Sequence, residues 1–100
     1  MIANTAAYHF VDIDAPQTLC DQLQARAEAG GLRGTVLVAP EGLNLFLAGE
    51  PAQVQAFHDW LRSDPRFADM RVKTSHSEHQ PFARLKAKVK DEIISFRRDD

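Results

Sequence analysis

Pro16 and Pro51 each stand at the head of a stretch whose apolar residues recur at helical spacing. Proline is tolerated in a helix's first turn, where its missing N–H has no partner to lose, and is excluded from the interior. Asp14-Ala15-Pro16-Gln17 therefore predicts a helix start, with Asp14 as cap and Gln17 at the capping-box position. Leu19, Leu23 and Ala27 follow as its buried stripe, and Gly30-Gly31 ends it. Glu50-Pro51 opens a second helix with Val54, Phe57 and Leu61 as its inner face and Trp60 beside them, until Asp64-Pro65 stops it.

Short apolar or alternating runs lie around these helices. Residues 7–13 are rich in aromatic and β-branched types and predict a first strand. Residues 35–39 and 43–48 predict two more, close enough across Pro40-Glu41-Gly42 to form a hairpin. Residues 70–75 predict a fourth strand, 76–83 a loop, and 84–96 a last strand or hairpin that includes Ile93, Ile94 and Phe96. Strand, helix, strand, strand, helix, strand is the order of a split βαβ, so the expected class is α+β and ferredoxin-like. Both helices then lie on one face of an antiparallel sheet that carries an extra C-terminal strand, and the other face is left open. One hundred residues suit a single domain, 1–100. The plan hosts many unrelated functions and names none.

The last of these runs also carries chemistry. Arg84, Lys86, Lys88 and Lys90 alternate with Leu85, Ala87 and Val89. In a strand such alternation buries the aliphatic row and sets the cations about 7 Å apart on the opposite face. Residues 1–70 hold four Lys/Arg against nine Asp/Glu, a balance of −5; residues 71–90 hold six against one, +5; the last ten hold two against four, −2. The net charge of −2 thus conceals a basic segment suited to a polyanion, with Arg33, Arg71 and Lys73 as extensions of it. A solvated edge strand kept soluble by lysine gives the same pattern.

Other constellations carry plainer meanings. Cys20 lacks a second cysteine for a disulfide or a Cys-x-x-Cys pair and reads as structural, consistent with a reducing cytoplasm. His76 and His79 supply two ligands where a metal needs three or four, so neither metal nor cofactor is expected. No apolar stretch approaches the roughly 20 residues that span a bilayer, and the first residues lack a signal-peptide pattern. Acyl phosphate hydrolysis needs an arginine and free amides in the first strand–helix loop. Here that loop is Asp12-Ile13-Asp14-Ala15-Pro16, whose carboxylates repel phosphate. The turn Pro40-Glu41-Gly42-Leu43-Asn44 is either a hairpin in which Gly42 takes positive φ or a recognition loop using Glu41, Gly42 and Asn44. Tyr8 and Phe10 share a strand face, and Phe82 precedes the basic row. These aromatics serve either core packing or base stacking.

Four segments together resemble one family: Tyr8-His9-Phe10-Val11-Asp12-Ile13, Arg33-Gly34-Thr35-Val36-Leu37-Val38-Ala39-Pro40-Glu41-Gly42-Leu43-Asn44, the helix over 54–61, and Phe82-Ala83-Arg84-Leu85-Lys86-Ala87-Lys88-Val89-Lys90. The set is similar to the N-terminal domain of the bacterial rhodanese-like tRNA uridine-34 hydroxylases, over about residues 7–96. The resemblance implies an acylphosphatase-like domain followed by a rhodanese domain, in an oxidoreductase that forms 5-hydroxyuridine at the tRNA wobble position with oxygen. It also implies a catalytic cysteine in the rhodanese loop. Cys20 has no Cys-x-x-x-x-Arg arrangement, so that role does not transfer and no catalytic residue is expected in this chain.

The chain is therefore expected to be the N-terminal part of a longer cytoplasmic, tRNA-modifying protein. In that reading it binds tRNA through Arg84, Lys86, Lys88, Lys90, Arg33 and Lys73 without turnover of its own. The alternative is an interaction or dimerisation scaffold for the downstream rhodanese domain that makes no RNA contact.

Overall fold

A computed structural model of the chain describes residues 1–92. Its elements are β1 (Ile2–Phe10), α1 (Pro16–Ala29), β2 (Arg33–Ala39), β3 (Gly42–Gly49), α2 (Pro51–Arg62), a 3-10 turn (Pro65–Phe67), β4 (Val72–Ser77) and β5 (Leu85–Val89). The sheet order is β4-β1-β3-β2-β5. β1–β3, β1–β4 and β2–β3 are antiparallel, which gives the expected ferredoxin-like plan with both split βαβ units. The extra strand adds parallel to β2, so the whole sheet is mixed rather than purely antiparallel.

The chain path explains that direction. β4 ends at Ser77 beside Ile2, at the end of the sheet where β2 begins. β5 lies on the opposite edge, four strand spacings or about 19 Å away. Residues 78–84 cross that distance as a strap bent at 78–79 and 83–84, within the roughly 27 Å that the eight steps from Ser77 to Leu85 can reach. β5 therefore enters beside Gly34 and runs the same way as β2, with the Gly34 amide donating to Arg84 O at 3.1 Å. The strap is pinned midway by Gln80, whose side-chain N–H donates to Ala48 O at 2.9 Å.

Burial follows parity. In β3, Leu43, Leu45 and Leu47 are fully buried toward the helices, with Val36 and Val38 of β2 beside them. From α1 come Leu19, Cys20, Leu23 and Ala27; from α2, Val54, Phe57, His58 and Leu61. Leu85 and Ala87 pack against this core from β5, as the alternation requires.

Several local expectations shift. β1 begins at Ile2, not at residue 7, because Ala3 to Thr5 find partners in both β3 and β4. It stops at Phe10 because β3 starts at its partner Gly42. Beyond that point Val11 N and Ile13 N donate to Glu41 O and Pro40 O of the hairpin turn. α1 starts at Pro16 without a side-chain cap, and Gln17 donates to Asp21 instead of closing a capping box. β2 begins at Arg33 and β4 covers Val72–Ser77, so both are displaced from the sequence expectation. β5 ends at Val89; the expected apolar residues Ile93, Ile94 and Phe96 lie outside the described residues.

One buried polar chain ties α2 to the sheet. Thr5 Oγ1 donates to Leu47 O at 3.0 Å, and His58 Nε2 lies 3.0 Å from the same hydroxyl. A hydroxyl has one proton, so His58 Nε2 must be the donor and Nδ1 the bare nitrogen. Burial pushes the His58 pKa down to about 4 from 6.5, with Arg62 adding to the shift and Asp59 opposing it.

Two outcomes follow from this packing. Gly34 sits at φ 139, and a Cβ there would collide with the Phe46 carbonyl oxygen. Gly34→Ala should therefore lose about 3 kcal/mol or more in urea unfolding; unchanged stability would contradict the close β2–β3 approach. His58 is neutral when folded, so its contribution is whole above pH 6.5 and is lost as pH falls through about 4. The shift corresponds to about 3 kcal/mol. Urea midpoints measured from pH 7 to pH 4 should fall less steeply for His58→Gln than for the parent chain.

Candidate nucleic-acid interface

With both helices on one side, the even positions of β1, β3 and β5 and the odd positions of β2 and β4 form the other face. Cross-strand register arranges them in rows. One row reads Lys73, Ala6, Phe46, Thr35, Lys86 from edge to edge. The next along β1 reads Tyr8, Asn44, Leu37, Lys88. On the other side of the first row lie Ser75, Asn4, Ala48 and Arg33, with Arg84 just ahead of β5. Arg33, Lys73, Arg84, Lys86 and Lys88 are all exposed.

Charge is sorted between the two faces. Among the described residues the five strands contain no Asp or Glu. On the helix side the cations are engaged. Arg26 lies over the Trp60 ring at 4.6 Å, Arg62 donates twice to Met70 O, and Arg66 pairs with Asp64. The Arg66 hydrogen bond to the Asp64 side chain is the main reason that carboxyl titrates below its ordinary value. On the sheet side, no ion pair to Arg33, Lys73, Arg84, Lys86 or Lys88 is present among the described residues. Lys90 differs: it is half-buried, past the end of β5, and its backbone N–H donates to Val38 O at 2.7 Å.

The register thus brings Lys86, Lys88, Arg84 and Arg33 to one side of the face and Lys73 to the far edge. The hairpin turn separates the residues of the other candidate set. Pro40 and Glu41 form the loop, Gly42 opens β3 at φ 152, and Asn44 is a β3 residue only 6 % exposed between Tyr8 and Leu37. Gly42 therefore has the conformational role expected of it, while Asn44 belongs to the sheet surface and not to the turn.

Phe46 was not apparent as a site residue. Leu-Asn-Leu-Phe-Leu-Ala reads as one apolar run, and only strict alternation against Leu43, Leu45 and Leu47 turns Phe46 outward, where it is 42 % exposed. Phe10 shares the face at 50 % exposure, with its ring 4.9 Å from that of Tyr8 in an edge-to-face contact. A groove of about 400 Å³ runs between Lys73 and Ser75 on one side and His79 and Phe82 of the strap on the other. His76 lines a separate cavity on the helix side with His58 and Thr74, so His76 and His79 are not brought together.

The strand–helix loop that binds phosphate in acyl phosphate hydrolysis is committed elsewhere here. The Val11 and Ile13 amides bond the hairpin carbonyls at 3.0 and 2.9 Å. Cys20 is buried on α1, and burial with neighbouring Asp21 raises its pKa, which keeps it a thiol. No helix of the described residues is long and apolar enough to cross a membrane.

Residues 2–93 match the family model described as the UPF0176 acylphosphatase like domain. The chain is 65 % identical over all 100 residues to a protein of Xanthomonas euvesicatoria named tRNA uridine(34) hydroxylase, and 61 % identical to one of the same name from Xylella fastidiosa. It spans 40 % and 39 % of those two proteins, about two-fifths of the length of the curated relatives. Among solved structures, an acylphosphatase from Bacillus subtilis superposes with TM-score 0.66 at 16 % identity, covering 86 % of this chain and 97 % of its own. The BLUF protein BlrB superposes at 0.70 with 11 % identity, covering 90 % and 72 %. At these identities the superpositions establish the fold alone.

The thiol state has a direct readout. Native protein should react with a thiol reagent such as DTNB at pH 8 at least about 100-fold more slowly than protein in urea, because exposure and the thiolate are both missing. Equal rates would place Cys20 at the surface.

Proposed function

Because the chain belongs to the UPF0176 acylphosphatase-like domain family, we propose that it is the non-catalytic, tRNA-holding part of a tRNA-modifying oxidoreductase. Two kinds of support converge. The relatives carry the name tRNA uridine(34) hydroxylase, and this chain matches only about two-fifths of their length. In this reading the chemistry resides in the remainder, the rhodanese-like portion that the resemblance assigns to the downstream polypeptide.

The observation that carries the proposal is the sorting of charge between the two faces. Five exposed cations border strands that, among the described residues, contain no carboxylate, while the cations on the helix side are held by protein groups. Like charges about 7 Å apart repel, and a polyanion relieves that repulsion by replacing a diffuse counterion cloud. Arg84, Lys86, Lys88 and Arg33 form the principal phosphate-contacting set, with Lys73 reaching from the opposite edge and Lys90 at the margin. A solubility device on the edge strands accounts for β5 and for Lys73 on β4, whereas this distribution also includes Arg33 on β2.

Binding of a fluorescently labelled tRNA transcript, followed by anisotropy, should show log K falling with log salt at a slope of about −3, as expected for four or five neutralised phosphates. Lys86→Glu with Lys88→Glu should weaken binding at least tenfold at low salt and flatten the slope. Binding equal to the parent in affinity and slope would remove the RNA-holding role from this face.

A further inference from the structure

We infer that this face takes unpaired RNA, with bases stacked on Phe46 and Phe10 as well as phosphates held by the cationic border. The inference rests on the RNA-holding reading above and specifies its ligand.

Phe46 occupies the middle of the sheet yet is 42 % exposed, and Phe10 is 50 % exposed. Neither exposure serves the core, which β3 fills with Leu43, Leu45 and Leu47 from its opposite side. The partners of Phe46 across the strands are Ala6 and Thr35, so the ring stands above small neighbours instead of being walled in. Tyr8 lies diagonally between Phe46 and Phe10, and its edge-to-face contact steadies the Phe10 ring. Phe46 and Phe10 are about 14 Å apart along the sheet.

The strap narrows the choice of ligand. It covers the Asn4–Ala48 end of the face, where Gln80 reaches Ala48 O and Phe82 borders the groove with Asn4 and Ala6. Beyond the strap, among the described residues, a lane leads from Phe46 past Asn44 and Tyr8 to Phe10, flanked along one side by Lys86 and Lys88. A duplex presents no base face to such a surface, because its bases are already stacked on one another. Aromatic rings alongside cations are matched by a strand whose bases turn inward and whose phosphates run along the lysine side. The absence of carboxylates from the strands, among the described residues, argues against a basic protein partner on the same lane.

The test compares a short labelled oligouridylate with an RNA duplex, binding each to the parent chain, to Phe46→Ala and to the Lys86→Glu, Lys88→Glu pair. Single-stranded RNA should bind tighter than duplex. Phe46→Ala should weaken single-strand binding about tenfold with an unchanged salt slope and leave duplex binding unaltered. Phe46 is on the surface, and Phe46→Leu, which keeps an apolar side chain without a stacking face, guards against a folding artefact and should behave like the alanine variant. If the lysine pair weakens binding while Phe46→Ala and Phe46→Leu do not, the stacking inference falls and the RNA-holding proposal survives. If no variant affects either RNA, the proposal itself falls, and the inference with it. If the Phe46 ring resonances shift only on adding the downstream part of the polypeptide, the lane is an interdomain contact and the inference is overturned.

Discussion

The register of β3 is the constraint on which the arrangement depends. β3 is paired on both edges, with β1 and β2, and its three leucines are fully removed from solvent. A slip of one residue would turn all three outward and bring Asn44, Phe46 and Ala48 into the core. Each leucine contributes about 2 kcal/mol by burial, so the slipped state is out of reach for a domain of ordinary stability. Once β3 is locked, pairing transmits its parity outward. β1 and β2 take their faces from β3, β4 takes its face from β1, and β5 from β2. The outward placement of Lys73 and of Lys86 therefore has a common cause, although they sit on opposite edges.

That transmission explains why charge is sorted by face as well as by sequence segment. The helices carry both signs on their solvent sides, and the cations there have local partners in Trp60, Met70 O and Asp64. Such exposed contacts add little stability, but they do occupy the cations. Among the described residues, the five strands supply no carboxylate with which to do the same. Arg33, Lys73, Arg84, Lys86 and Lys88 have no ion pair among the described residues, and the low net charge of the whole chain does not describe their clustering.

Most of the architecture was legible in the sequence because local and global signals agree. Pro51 opens α2 where expected, and Leu19, Leu23 and Ala27 form the buried stripe of α1. Arg84 to Lys88 alternates as a strand with Leu85 and Ala87 inward, but Val89, expected in the same buried row, is 38 % exposed, and Lys90 lies beyond the last ladder position. The failures have one physical origin: they depend on what an element meets in three dimensions. Ile2 to Ala6 has weak strand character alone and becomes extended because β3 and β4 flank it. The direction of β5 follows from the end of the sheet at which β4 releases the chain, which no local pattern records. Phe46 is hidden because residues 43–48 read as one apolar run, which masks the alternation of β3.

The same register separates this chain from the hydrolytic chemistry found elsewhere on its fold. The hairpin that ends β2 and starts β3 sits against the chain leaving β1, and its carbonyls take the Val11 and Ile13 amides. Amides so engaged cannot turn toward a phosphate without breaking two good hydrogen bonds, and Asp12 and Asp14 would oppose the anion if they did. In the proposed reading, anion binding belongs not to a loop at one end of the sheet but to the sheet's open face. There, side chains on a rigid ladder replace backbone N–H groups as the donors. A loop cradle suits a single compact phosphate, whereas a row of cations at strand spacing suits a chain of them. Superposition on an acylphosphatase therefore identifies the scaffold alone, and in the proposed reading Lys86, Lys88 and Phe46 supply the function placed on it.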